Sequence, residues 1–175
     1  MNIQFREASF ADWKGIADIH ILSWQENYRG IFTDDFLDHD IYKNRKEIWH
    51  DRFQNPPNNQ FVLIAEVEEF LVGFACTYCH YKEEKIHYLD NLHVRSQLRG
   101  KRIGENLLSQ SALHAFQKDP LSPFYLLVFE ENESAIRFYK RMGALVSDPF
   151  EHVNEDGTRS KVVRCTWPSL NAFSN

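Results

Sequence analysis

Period-two and period-3.6 hydrophobic stretches succeed one another along the chain, separated by short polar turns. Ile3 to Arg6 forms a first short strand. Ser9 and Asp12 then stand at capping-box spacing and open a helix through about Gln25, with Trp13, Ile16, Ala17, His20 and Trp24 on one face. Gly30, in ENYRGIF, punctuates its end. A second helical region from Thr33 to Phe53, in one or two pieces, buries Phe36, Leu37, Ile48 and Trp49 before a PPNN loop at 56–59.

A β-rich stretch follows. FVLIAEV at 61–67 and FLVGFACTYCHY at 70–81, separated by Glu68 and Glu69, predict a hairpin. IHYLDNLHV at 86–94 alternates, which puts Tyr88, Asp90, Leu92 and Val94 on one face and His87, Leu89, Asn91 and His93 on the other. Ile103 to Gln117 is an amphipathic helix with Ile103, Leu107, Leu108, Ala112, Ala115 and Phe116 as its apolar stripe. FYLLVF at 124–129 reads as a buried strand. Asn132 is a natural N-cap for a helix through Met142, with Gly143 as its stop. A last hairpin is predicted from VSDPFEHV and SKVVRCTW around the NEDG turn at 154–157. Helices on both sides of a central β stretch predict one α+β domain over residues 1–175.

Composition narrows the function classes. A net charge of −5 argues against nucleic acid as a partner, because phosphate-binding surfaces need excess Lys and Arg. An aromatic content of 14% predicts an aromatic core or an aromatic-lined pocket. Cys76, Cys79 and Cys165 cannot all pair within one chain, which suits reduced thiols in a cytosol. The start, MNIQFREASFADW, lacks the basic-then-apolar pattern of a signal peptide, and no apolar run approaches the ~20 residues that span a bilayer. A cytoplasmic protein with no membrane partner is expected. The CTYC at 76–79 lies inside a strand, so its two thiols point to opposite faces, and no second Cys pair completes a site. No metal is expected.

The stretch VRSQLRGKRIGENLL at 94–108 holds the candidate chemistry. A strand end, a polar turn and a helix start near Ile103 leave several backbone N–H groups without partners. Free amides and the helix dipole together favour an anion there. Gly100 permits close approach, while Arg99, Lys101 and Arg102 add charge suited to a pyrophosphate. Neither the Gly-Lys-Ser/Thr of a Walker loop nor a GxGxxG is present, although an ATP-binding enzyme using residues 99–104 is a rival reading.

Arg99-Gly100-Lys101-Arg102-Ile103-Gly104 resembles the acetyl-CoA signature of the GNAT superfamily of N-acetyltransferases, Arg/Gln-x-x-Gly-x-Gly/Ala, matching at Arg99 and Gly104 and departing at Arg102. NESAIRFYKRMGA at 132–144 is similar to a second family segment through Asn132, Ala135, Phe138, Tyr139 and Gly143. The resemblance covers nearly the whole chain. It implies a mixed central sheet of six to seven strands flanked by helices, and acetyl-CoA as co-substrate. It also implies direct acetyl transfer to a primary amine, in a small molecule or a peptide, within a ternary complex. Homodimers are common in the family.

The resemblance implies residue roles as well. Leu92, His93 and Val94 would pair with the pantetheine arm through their backbone. The loop of Arg99, Gly100, Lys101, Arg102, Ile103 and Gly104, with Asn132, Ala135 and Phe138, would hold the cofactor. Tyr139 would act as general acid toward the leaving thiolate. Where many members carry a Glu base this chain has Tyr88, and Asp90, two residues on, is the acid expected on the same strand face. Trp24, Glu26 and Tyr28 would wall the acceptor groove. A non-catalytic acyl-CoA sensor of the same fold is the alternative. Net acidity leans toward cationic acceptors such as polyamines, aminoglycosides or peptide N-termini.

Overall fold

A computed structural model describes residues 2–81 and 86–173. Its first half follows the polar punctuation. Strand β1 (Ile3–Glu7) leads through a single 3-10 turn into α1 (Trp13–Asn27). Asp12 closes the entry by accepting from the Ser9 amide at 2.7 Å, as the capping-box spacing predicted. A π-turn at Phe36–Asp40 then feeds α2 (Ile41–Gln54). The β run becomes β2 (Gln60–Val67), β3 (Phe70–Tyr81) and β4 (Ile86–Val94). Next come α3 (Ile103–Lys118), β5 (Phe124–Phe129) and α4 (Glu133–Arg141), and the chain ends in β6 (Leu145–Val146), β7 (Phe150–Val153) and β8 (Arg159–Trp167).

The strands form one sheet in the order β1-β2-β3-β4-β5-β8-β6, with β7 also pairing β8. All pairs are antiparallel except β4 with β5. The sheet has eight strands where six to seven were expected, because the strand predicted at 146–153 is interrupted. Leu145–Val146 and Phe150–Val153 pair with successive parts of β8, and Pro149 lies between them without an N–H to offer.

Helices cover both faces. The stripe of α3 packs with Leu63, Leu89, Leu126 and Trp167 into one core, joined by Tyr139 of α4. On the other face Ile16, Ala17 and Ile19 of α1 meet Trp49 of α2, Ile64 and Phe74. A third cluster holds Trp24, Ile31, Phe32, Phe36, Leu37 and Ile41 beneath the α1–α2 connection. Cys76 faces the α1–α2 core and Cys79 the α3 core, as their spacing in a strand requires.

One expectation about β4 is corrected. Alternation alone put Leu92 and Val94 on the face of Tyr88. Instead Leu92 and Val94 join Leu89 in the α3 core, while Tyr88 packs on the α1–α2 core. A β-bulge is the cause: Asn91 pairs Cys76 and Leu89 pairs Thr77, so Asp90 is an extra residue and the alternation inverts after it. Asp90 and Asn91 both turn toward Arg52 of α2.

Candidate functional site

A gap in the sheet makes the site. β4 and β5 are in register only at His87↔Phe124 and Tyr88↔Tyr125. Beyond Tyr88 they part, which leaves backbone without a sheet partner. A cleft of about 560 Å³ fills the opening, bounded by β4, β5, the start of α3, the face of α4 and the helices α1 and α2.

At one end lies the 99–104 loop. Gly100 takes φ +79° and Arg102 φ +58°, so both adopt the left-handed bend, Arg102 without a glycine's freedom. The bend aims the start of α3 at the cleft. Among the described residues the amides of Gly100, Arg102, Ile103, Gly104 and Glu105 make no backbone hydrogen bond. No carboxylate pairs with Arg99, Lys101 or Arg102 among those residues. Arg99 is steadied by Asn27 Oδ1 at 3.1 Å. Free amides, a helix start and unpaired cations are the donor set a diphosphate requires.

Helix α4 forms the adjoining wall. Asn132 caps it, its Oδ1 accepting from the Ala135 amide at 3.2 Å. The helix ends in a Schellman motif: Ala144 N–H donates to Tyr139 O at 3.0 Å and Gly143 N–H to Lys140 O at 3.0 Å, with Gly143 at φ +86°. Between these stops Ala135, Phe138 and Tyr139 line the cleft. The Tyr139 ring is held edge-on by Phe138 and Trp167, at 5.1 and 6.0 Å. Burial pushes its phenol well above the ordinary value, so it keeps its proton at neutral pH. Tyr28 lies beside Asn132, with its phenol raised by burial to about 12.

The far end of the cleft is a chamber built by α1, α2 and the β7–β8 turn. Trp24, Phe32, Ile48 and Tyr88 give it apolar walls. The Arg45 guanidinium carbon stands 4.1 Å from the Trp24 ring centre, and the side chain pairs with Glu155. Arg52 pairs with Asp90 at 2.8 Å and donates to Asn91 at 3.2 Å. His93 is buried against His20, with ring centres 4.8 Å apart, and its Nδ1 meets Ser23 Oγ at 2.8 Å. Burial first, then Arg45 and Arg99, hold His93 down at about 3. His20 is also held well below its usual value, chiefly by burial.

Most residues expected from sequence meet in this cleft: Trp24, Tyr28, Asp90, Leu92, His93, Val94, Arg99, Gly100, Arg102, Ile103, Gly104, Asn132, Ala135, Phe138 and Tyr139. Glu26 does not. Ser23, Trp24 and Asn27 present one side of α1 to the cleft, whereas Glu26 turns away to accept from Ser96 Oγ at 3.2 Å. Lys101 also lies outside the lining. Sequence reasoning passed over Arg45, Arg52, Asn154 and Glu155. Arg45 and Arg52 stand seven apart and share a helix face, but two arginines among the polar residues of an amphipathic helix read as solvated.

Comparison with known proteins agrees with this geometry. The acetyltransferase (GNAT) family matches residues 13–144. A Bacillus subtilis (strain 168) protein described as uncharacterized N-acetyltransferase YuaI is 30% identical over 177 residues, covering 98% of this chain and 96% of its own. The crystal structure of the PaiA N-acetyltransferase of Thermoplasma acidophilum, in complex with coenzyme A, superposes with a TM-score of 0.75 at 22% identity, covering 95% of this chain and all of the other. YncA of Salmonella typhimurium, a putative acetyltransferase solved with acetyl-CoA, gives a TM-score of 0.71 at 20% identity, covering 98% and 95% of the two chains. With this family match over most of its length and a relative 30% identical across nearly all of it, the chain belongs to the GNAT family of acetyltransferases.

Proposed function

We propose that the protein transfers an acetyl group from acetyl-CoA to a primary amine, with both substrates bound in the cleft at once. The observation that carries this reading is the continuity of two unpaired backbone surfaces: β4 beyond Tyr88, and the amides of Gly100 and Arg102 to Glu105, which make no backbone hydrogen bond among the described residues. The first suits an extended amide-bearing arm, which can add to a sheet edge as a strand does. The second suits a diphosphate.

Acetyl-CoA supplies the acyl group as an activated thioester. The protein's own residues then divide the work. Arg99, Arg102 and the α3 amides hold the anionic end, and Leu92, His93 and Val94 orient the arm. Ala135 and Phe138 exclude water from one side of the cleft. Tyr139 holds a proton on its hydroxyl oxygen in the wall of the cleft, where a departing thiolate can take it. Asp90, engaged by Arg52, accepts the amine's proton through water. Proximity and orientation supply most of the rate.

Acetyl-CoA-dependent thiol release with a panel of amines tests the reading. Tyr139→Phe is expected to lower kcat about 10²-fold while leaving CoA affinity within a fewfold. An unchanged kcat removes Tyr139 from the chemistry. One observation favours the alternative, a non-catalytic acyl-CoA sensor: the carboxylates lining the cleft, Asp90, Glu105 and Glu155, all sit in ion pairs. CoA binding by calorimetry without turnover of any amine would establish the sensor instead.

A further inference from the structure

The charges of the acceptor chamber do not match a polycation. The cleft is lined by five arginines, Arg45, Arg52, Arg99, Arg102 and Arg141, against Asp90, Glu105 and Glu155. Each of these carboxylates is already paired, with Arg52, Arg141 and Arg45 respectively. Arg99 and Arg102 sit at the amide-lined end, outside the chamber. No lining carboxylate is therefore left to hold an ammonium.

Arg45 is the exception in the other direction. It is only 3% exposed, yet its single hydrogen bond among the described residues runs from Nη2 to Glu155. Its Nε is fully buried and has no partner. A guanidinium carries five N–H donors in a planar fork, and leaving such donors unbonded in a dry site is costly. Arg52, two turns along the same helix, has two acceptors, Asp90 and Asn91, both at its Nη1. The Arg45 guanidinium sits 4.1 Å from the Trp24 ring centre, and its side chain lines the chamber. Arg45 Nη1 is neither sealed off like Nε nor hydrogen-bonded among the described residues, and a guanidinium partly neutralised by one carboxylate matches a second carboxylate better than a dianion.

Resting on the acetyltransfer reading above, we propose that the acceptor is an amine that also carries a carboxylate, as a free amino acid does. Arg45 holds the carboxylate, and the amine faces the gap beyond Tyr88. Arg45 is thus a positioning residue for the acceptor, and the overall acidity of the chain says nothing of this pocket.

The test compares the common L-amino acids with their carboxamides, and with spermidine and tyramine, by initial rates of acetyl-CoA-dependent thiol release. The expected result is a kcat/KM for the best amino acid about 10²-fold above that of its carboxamide, because the carboxamide brings Arg45 no second carboxylate. In Arg45→Met that acid-over-amide ratio should collapse to within about fivefold of unity, with CoA affinity and melting temperature measured alongside to confirm folding. If Arg45→Met does not fold, Arg45→Lys, which keeps the charge without the fork, should cut the ratio about tenfold. Preference for spermidine, tyramine or the carboxamides overturns the proposal and leaves acetyltransfer standing. A ratio that survives both substitutions also overturns it. CoA binding with no amine acetylated overturns both readings together.

Discussion

At Arg102 backbone conformation and charge make opposite demands. Its left-handed φ of 58° costs about 1 kcal/mol for a residue with a Cβ, and the bend before α3 requires it. Arg102→Gly is expected to leave the melting temperature unchanged or raised, since relief of strain offsets the glycine's extra unfolded freedom. CoA affinity should fall several-fold from the lost charge, and less so at high salt. A fall in melting temperature would show that the Arg102 side chain stabilises the fold by other means. The buried histidines make a second prediction of this kind. His20 Nδ1 accepts from Trp49 Nε1 at 2.9 Å, and His93 is held down at about 3 from an ordinary 6.5. A depressed value means that the unfolded chain takes up protons the folded chain refuses. The contribution is therefore whole above pH 6.5 and lost as pH falls toward 3. His20 acts in the same direction, so stability should decline as pH falls below 6.5. Urea midpoints between pH 7 and 4.5 measure it, and His93→Asn should flatten the decline.

At the scale of elements, short-range signals set most boundaries. The hairpin of β2 and β3 turns on Glu68 and Glu69, at φ 50° and 68°, a type I′ turn made without the usual Asn-Gly. Replacing the pair by Asn-Gly is expected to raise stability by about 1 kcal/mol, read as a higher urea midpoint at unchanged slope. No gain would mean that the two glutamates adopt the turn without strain. Capping and stop signals were equally readable: Ser9 with Asp12 before α1, Asn132 before α4, and Gly143 after it all fulfil the roles their spacing suggests. The β4 alternation was misread because a bulge inserts one residue with no local mark in the sequence. Only its pairing with Cys76 and Thr77 reveals it. The break at Ser147–Pro149 did carry a mark, the proline.

For the whole molecule, the acceptor chamber depends on contacts between residues more than a hundred positions apart. Asn154 Nδ2 and Thr158 Oγ1 both donate to Ile31 O, at 3.4 and 3.1 Å, and Asp156 Oδ2 accepts from the Thr33 amide at 2.7 Å. These bonds fasten the α1–α2 connection to the β7–β8 turn, and the Arg45–Glu155 pair lies beneath them. Asp156→Ala is expected to cost about 1–2 kcal/mol of stability and to raise KM for the acceptor several-fold while CoA affinity holds. An unchanged acceptor KM would show that the turn does not shape the chamber.

The sequence by itself determined the order of the elements, their caps and the cationic loop at the start of α3, because periodicity, capping and free amides at a helix start all act over a few neighbouring residues. It also determined the expected pairing of Arg99–Gly104 with the Asn132–Gly143 segment, since both follow spacings that the family shares. Only the tertiary structure decided that Asp90 meets Arg52, that Glu26 points away, and that Arg45 is buried with donors to spare. Those facts follow from a bulge register, a helix rotation and a long-range ion pair. Charge on an amphipathic helix does not declare its partner until the sheet and the distant turn fold against it.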